Sequence, residues 1–68
     1  MTLYLTNIKG SINEMENIFD NATQLSVRYY EPSKKNPNNF DITIRCNEDV
    51  AKLIKRKRSV KSLLKYAN

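Results

Sequence analysis

Two short runs with a period of two, joined by a polar turn, constrain this chain more than any other feature. Residues 24–31, QLSVRYYE, set Leu25, Val27 and Tyr29 on one side and Ser26, Arg28 and Tyr30 on the other. Residues 40–46, FDITIRC, set Phe40, Ile42, Ile44 and Cys46 against Asp41, Thr43 and Arg45. That alternation is the signature of a strand buried on one face only. The connection PSKKNPNN holds both prolines of the chain and is dense in turn formers. The two runs therefore predict an antiparallel hairpin with a longish loop, one face on a core and the other open.

What lies before and after the hairpin supplies a cover for it. Residues 2–8, TLYLTNI, are rich in β-branched and aromatic side chains and predict a first strand, with Leu3 and Leu5 inward and Tyr4 and Thr6 outward. Lys9-Gly10 ends it. Ser11 and Glu14 form the S-x-x-E pattern in which each side chain closes the other's free backbone N–H, so a helix is expected over about residues 12–23. Ile12, Met15, Ile18, Phe19 and Ala22 recur on one of its faces. After the hairpin, Asn47 is a good helix cap, and Glu48 and Asp49 put negative charge at the positive end of the helix dipole. Val50, Leu53, Ile54, Val60, Leu64 and Ala67 then share one stripe, which predicts a single continuous C-terminal helix. Lys57 interrupts that stripe, and Ser59 offers a cap for a second short helix as the alternative. The order β-α-β-β-α predicts one domain over residues 1–68, a two-layer α+β sandwich with a three-stranded sheet and two helices on one face.

Size and composition narrow the function. A chain of 68 residues buries only about 60% of the surface its unfolded form exposes, so it has little room for an enclosed pocket. It has one cysteine and no histidine, which excludes an internal disulfide and the usual Cys/His zinc site. No apolar run is long enough to span a bilayer, and MTLYLTNIKG is not organised as a signal peptide, so a cytoplasmic location is expected. Catalysis has little support. Glu14, Glu16 and Asp20 sit on a helix surface, where solvated carboxylates are common. Cys46 closes the inward face of its strand as a small hydrophobe. No enzyme activity, cofactor or metal is expected.

Charge is the strongest functional signal. The net charge is +5, but residues 1–31 carry two Lys/Arg against four Asp/Glu, and residues 32–68 carry ten against three. From Val50 onward there are seven cations and no acid. A solvated helix face usually mixes both signs, and self-repulsion among so many cations is relieved most simply by a polyanion. The expected contacts are Lys52, Lys55, Arg56, Arg58, Lys61 and Lys65 from the last helix. Arg28, Tyr30 and Arg45 would add to them from the open sheet face, where tyrosine beside arginine suits base stacking and phosphate contact. Lys34 and Lys35 extend the positive surface if the loop lies nearby. The plain alternatives are a solvated lysine-rich surface and outward tyrosines that merely favour strand conformation.

The β-α-β-β-α order resembles most of a ferredoxin-like RNA-recognition domain without its last strand. The strand FDITIRC lacks the glycine-flanked aromatic motif of that family, so the likeness is one of architecture. Two functions are expected in turn. The first is a non-enzymatic nucleic-acid-binding module, largely indifferent to sequence and sensitive to salt. The second is a small inhibitor or adaptor, encoded by a phage or another mobile element, that binds an acidic host protein such as a nucleic-acid enzyme. In the second case the acidic helix with Glu14, Glu16 and Asp20 could imitate nucleic acid. A homodimer fits either.

Overall fold

The structure is a computed structural model that describes residues 1–66. β1 (Thr2–Lys9), α1 (Ile12–Asn21), β2 (Leu25–Pro32), β3 (Asn39–Cys46) and α2 (Glu48–Ile54) follow in order. α3 (Val60–Leu63) and a 3₁₀ turn (Leu64–Tyr66) complete the described chain. The sheet order is β1-β3-β2, and β3 runs antiparallel to both neighbours. β1 and β2 are thus parallel to each other with β3 inserted between them. The expected two-layer α+β arrangement is the one formed. Its core joins Leu5, Ile8, Val27, Phe40, Ile42 and Ile44 of the sheet to Met15 and Ile18 of α1, Val50 and Ile54 of α2, and Val60, Leu63 and Tyr66 beyond.

β3 keeps the alternation read from the sequence, and the two outer strands each slip on it once. In β1, Leu5 pairs with Ile42 and Ile8 with Phe40, so Thr6 and Asn7 together oppose Asp41. Asn7 takes a positive φ of 56°, which asparagine tolerates better than most residues, and the bulge turns Ile8 into the core. In β2, Val27 pairs with Ile44 and Tyr29 with Thr43, leaving Arg28 as the extra residue. Beyond Arg28 the faces exchange. Tyr30, expected outside, points to the helices and packs edge-to-face on Phe19 and Phe40, with ring centres 5.5 and 5.9 Å away. Tyr29, expected inside, stands 58% exposed on the open face.

The capping box at Ser11 is present in full: the Ser11 hydroxyl accepts from the Glu14 N–H at 3.1 Å, and a Glu14 carboxylate oxygen accepts from the Ser11 N–H at 2.9 Å. Met15 and Ile18 bury completely, while Ile12 and Phe19 stay about half exposed at the rim.

The single C-terminal helix is not formed. α2 ends at Ile54, Lys57 N–H turns back to the Ile54 carbonyl at 2.9 Å, and Ser59 caps α3 by accepting from the Ser62 N–H at 3.2 Å. Two causes act together. A continuous helix would drive Lys57 into the core, whereas here it is only half-buried. The connector also has a place to dock: Lys9 N–H donates to the Arg58 carbonyl at 2.9 Å, and Lys9 makes a parallel bridge with Ser59. Gly10 permits this approach. A Cβ there would lie 2.5 Å from Val60 Cγ2 and 2.6 Å from Val60 Cβ. The break also shifts the apolar stripe. Leu53 is left 58% exposed, and Val60, Leu63 and Tyr66 become the buried set, three residues apart as a 3₁₀-tightened segment requires. Leu64 is half-buried, and Ala67 lies outside the described residues.

Candidate nucleic-acid interface

The basic surface begins with the way α2 is held. The Asn47 side chain accepts from the Val50 N–H at 2.9 Å, and Glu48 and Asp49 occupy the first turn. Val50, Ala51 and Ile54 bury against the core, which turns Lys52 to solvent in the last turn, with Lys55 as the C-cap. Cations here complement the partial negative charge of the helix C-terminus, which gives Lys52 and Lys55 a structural use as well. Arg56, Lys57 and Arg58 lie past the helix end on a connector whose backbone is fixed by the Ile54 and Lys9 hydrogen bonds. Arg56 and Arg58 are exposed, and Arg58 Nη1 donates to the Lys57 carbonyl at 3.3 Å. Lys61 and Lys65 are exposed on the following segment, where the Lys65 ammonium lies 5.3 Å from the centre of the Tyr66 ring, a cation–π contact.

All six cations expected from the last helix are therefore exposed, but they do not form one helical arc. Lys52, Lys55, Arg56 and Arg58 surround the end of α2, and Lys61 and Lys65 follow beyond the break. The connector brings in a cation that sequence reasoning missed. Lys9, exposed at the end of β1, pairs with Asn39 on one side and Ser59 on the other. It thus joins the connector to the end of the sheet where the β2–β3 loop begins, and the exposed Lys34 and Lys35 belong to that loop. Nothing local in the sequence signals this, because Lys9 and Arg58 are distant along the chain and meet through backbone groups.

The open sheet face is a separate surface on the far side of the sheet. Its register sets Thr2, Arg45 and Ser26 in one row and Tyr4, Thr43 and Tyr29 in the next. The third row holds Thr6, Asp41 and Glu31. Arg45 is exposed there, as expected, and Arg28 is exposed at the bulge of β2. Tyr30 is not, and the aromatic pair on this face is Tyr4, 76% exposed, with Tyr29. The Tyr29 O–H donates to Glu31 Oε2 at 2.9 Å, and that bond to a carboxylate raises the phenol above its ordinary value. Asp41 Oδ1 accepts from the Asn7 N–H at 3.0 Å, which holds its carboxyl below the ordinary value. Partial burial opposes that shift, and Ser33 and Lys34 reinforce it. The row of carboxylates leaves this face with both signs of charge. This face and α2 lie on opposite sides of the sheet.

Among the described residues no group of His, Cys, Asp and Glu is arranged to hold a metal ion, and no helix is long and apolar enough to cross a membrane. Cys46 is half-buried against the core, beside Leu25 of β2. No protein-family model matches this chain, and neither a curated protein nor a solved structure is significantly similar to it.

Proposed function

We propose that this chain is a non-enzymatic nucleic-acid-binding domain that holds phosphates on the C-terminal end of α2 and the connector after it. One observation carries this reading. Four consecutive cations, Lys55 to Arg58, lie past a helix end with their backbone fixed at both sides, and no acidic residue follows Asp49. The helix dipole accounts for Lys52 and Lys55 and not for Arg56 and Arg58, whose guanidinium groups suit phosphate oxygens in pairs. Lys9, Lys61 and Lys65 would add charge at the margins, and Arg45 belongs to the opposite side. Contacts of this kind follow the backbone and carry little sequence preference.

The test is fluorescence anisotropy of labelled single- and double-stranded oligonucleotides titrated across salt. Four phosphate contacts give a slope of log affinity against log salt of roughly −3 to −4. Replacing Lys55 and Arg58 by Glu is expected to weaken binding more than tenfold and to flatten that slope by about 2. Binding that ignores both substitutions would move the site elsewhere.

A protein partner is the second reading, in the form of an inhibitor or adaptor encoded by a phage or mobile element that docks on an acidic host protein. Leu53 favours it, because an apolar side chain exposed among Lys52 and Arg56 offers more to a protein surface than to a phosphate backbone. The imitation of nucleic acid by α1 is weaker than its sequence implies. Glu14 is committed to the capping box, leaving Glu16 and Asp20 as the exposed carboxylates. Absence of oligonucleotide binding at low salt, together with one nuclease-resistant stoichiometric partner recovered from host lysate and lost on Leu53→Ser, would decide for this second reading.

A further inference from the structure

β1 is an edge strand, and its pairing with β3 determines which of its backbone groups are free. Met1 and Cys46 exchange both bonds: the Met1 amine donates to the Cys46 carbonyl at 2.7 Å, and the Cys46 N–H donates to the Met1 carbonyl at 3.0 Å. Antiparallel ladders alternate bonded and non-bonded pairs. Leu3 with Ile44 and Leu5 with Ile42 are therefore the next bonded pairs, and the backbone groups of Thr2 and Tyr4, with the Thr6 N–H, point away from β3. Beyond the bulge the edge is closed by the Lys9 bond to Arg58 and the bridge to Ser59. The open window is residues 2–6. It contains no charge, glycine or proline, the usual devices that blunt an exposed edge. Its sequence, TLYLT, reads the same in both directions.

We propose that a second copy of the chain pairs along this window, antiparallel about a two-fold axis at Tyr4, and joins two three-stranded sheets into one of six strands. That register sets like against like. Tyr4 lies beside Tyr4 of the second copy, and Thr2 beside its Thr6, on the open face. Leu3 lies beside Leu5 of the second copy on the inner face, at the closer non-bonded positions. Aromatic and Thr–Thr cross-strand pairs are favourable. The palindrome selects a second copy over an unrelated strand, because a two-fold interface needs one patch that complements itself. The inner face is prepared for it as well. An open cleft of about 410 Å³ beside the edge is lined by Met1, Leu3 and Ala51, with Glu48, Lys52 and Lys55 at its rim. The leucines of the second copy cover its apolar part. Because Lys52 and Lys55 of both copies then flank the junction and outnumber Glu48 there, added salt tightens this dimer rather than weakening it. The pairing does not rest on the proposed phosphate binding, and Lys52 and Lys55 border both surfaces.

The experiment is sedimentation equilibrium of the full chain, free of nucleic acid, over a wide concentration range and at two salt concentrations. The expected result is a mass rising to twice the 8.0 kDa of one chain, with tighter association at the higher salt. Two charge variants read the register, since Thr2 and Thr6 are exposed and face each other only in the dimer. The chain with Thr2→Lys and Thr6→Lys, and the chain with Thr2→Glu and Thr6→Glu, should each stay monomeric, with the dissociation constant raised more than tenfold. Mixing the two should restore association. Tyr4→Pro removes an N–H that β3 does not use and should also give a folded monomer, judged by circular dichroism. A wild-type chain that is monomeric throughout, a dimer indifferent to these substitutions, or opposite-charge variants that fail to associate when mixed would each overturn the proposal.

Discussion

α1 and the C-terminal segment begin from similar sequence material and end differently. Each opens on a polar cap followed by acidic residues and carries an apolar stripe. α1 runs unbroken to Asn21 with its capping box closed, whereas the C-terminal segment stops at Ile54 and restarts at Ser59. The difference lies in what each meets. α1 presents Met15 and Ile18 to the sheet with no polar residue on the buried side. The later segment carries Lys57 on the phase that would have to bury, and it finds at Lys9 and Gly10 a place to lay its backbone. A helix break is set here by a docking partner as much as by local propensity, and the break brings four cations together outside regular structure.

The largest effect should come from filling the notch that receives the break. Gly10→Ala puts a methyl group inside Val60 contact distance and is expected to cost about 1–3 kcal/mol in urea unfolding. Both Val60 Cγ2 and Val60 Cβ stand in the way of that methyl, so Gly10→Ala combined with Val60→Gly, which removes both, should cost less than the two single losses added together in a double-mutant cycle. Strict additivity would mean that the connector does not dock there.

Smaller and more local effects are expected from the two caps. Ser11→Ala and Ser59→Ala should each cost about 1 kcal/mol. Amide exchange would sharpen the comparison. Loss of the Ser59 cap should expose the amides of α3 and the Lys9 N–H together, because both rest on the same connector. Loss of the Ser11 cap should stay within the first turn of α1.

The smallest effect is confined to acid. Asp41 has its carboxyl held below the ordinary value by the Asn7 N–H, so the unfolded chain binds that proton more readily than the folded one. Its contribution is present above the ordinary carboxylate range and is lost as pH falls through the lowered folded value. Unfolding midpoints measured from neutrality to about pH 2 should therefore fall less steeply for Asp41→Asn than for the wild type. Equal slopes would remove Asp41 as a cause.

The architecture was legible because alternation and capping are local signals, and β3 and α1 kept to them. Three changes of phase were not, and each carried a clue. In unbroken alternation Asn7 would face the core and Ile8 would not, yet Ile8 is fully buried. In β2 the same rule would bury Glu31 beside Leu25 and Val27, and the Tyr29-Tyr30 pair hides the slip because either residue suits either face. Lys57 marks the third. A polar residue on an apolar phase is the trace of a bulge or a break, and where the phase resets is decided by partners distant in sequence. The candidate cations could be named from charge alone. Their division into two groups, the inward turn of Tyr30 and the addition of Lys9 could not, because all three follow from those resets.

The central position of β3 has a consequence for how the chain is made. β1 and β2 do not touch each other as strands, and each has β3 as its sheet neighbour. While a ribosome is still delivering the first 38 residues, neither strand has anything to pair with, and the palindromic window of β1 is open along both its edges. The sheet can assemble only when residues 39–46 leave the exit tunnel. Until then β1 and β2 alike lack their native sheet neighbour, so the window that would join two finished copies is open on both edges for as long as β3 is missing.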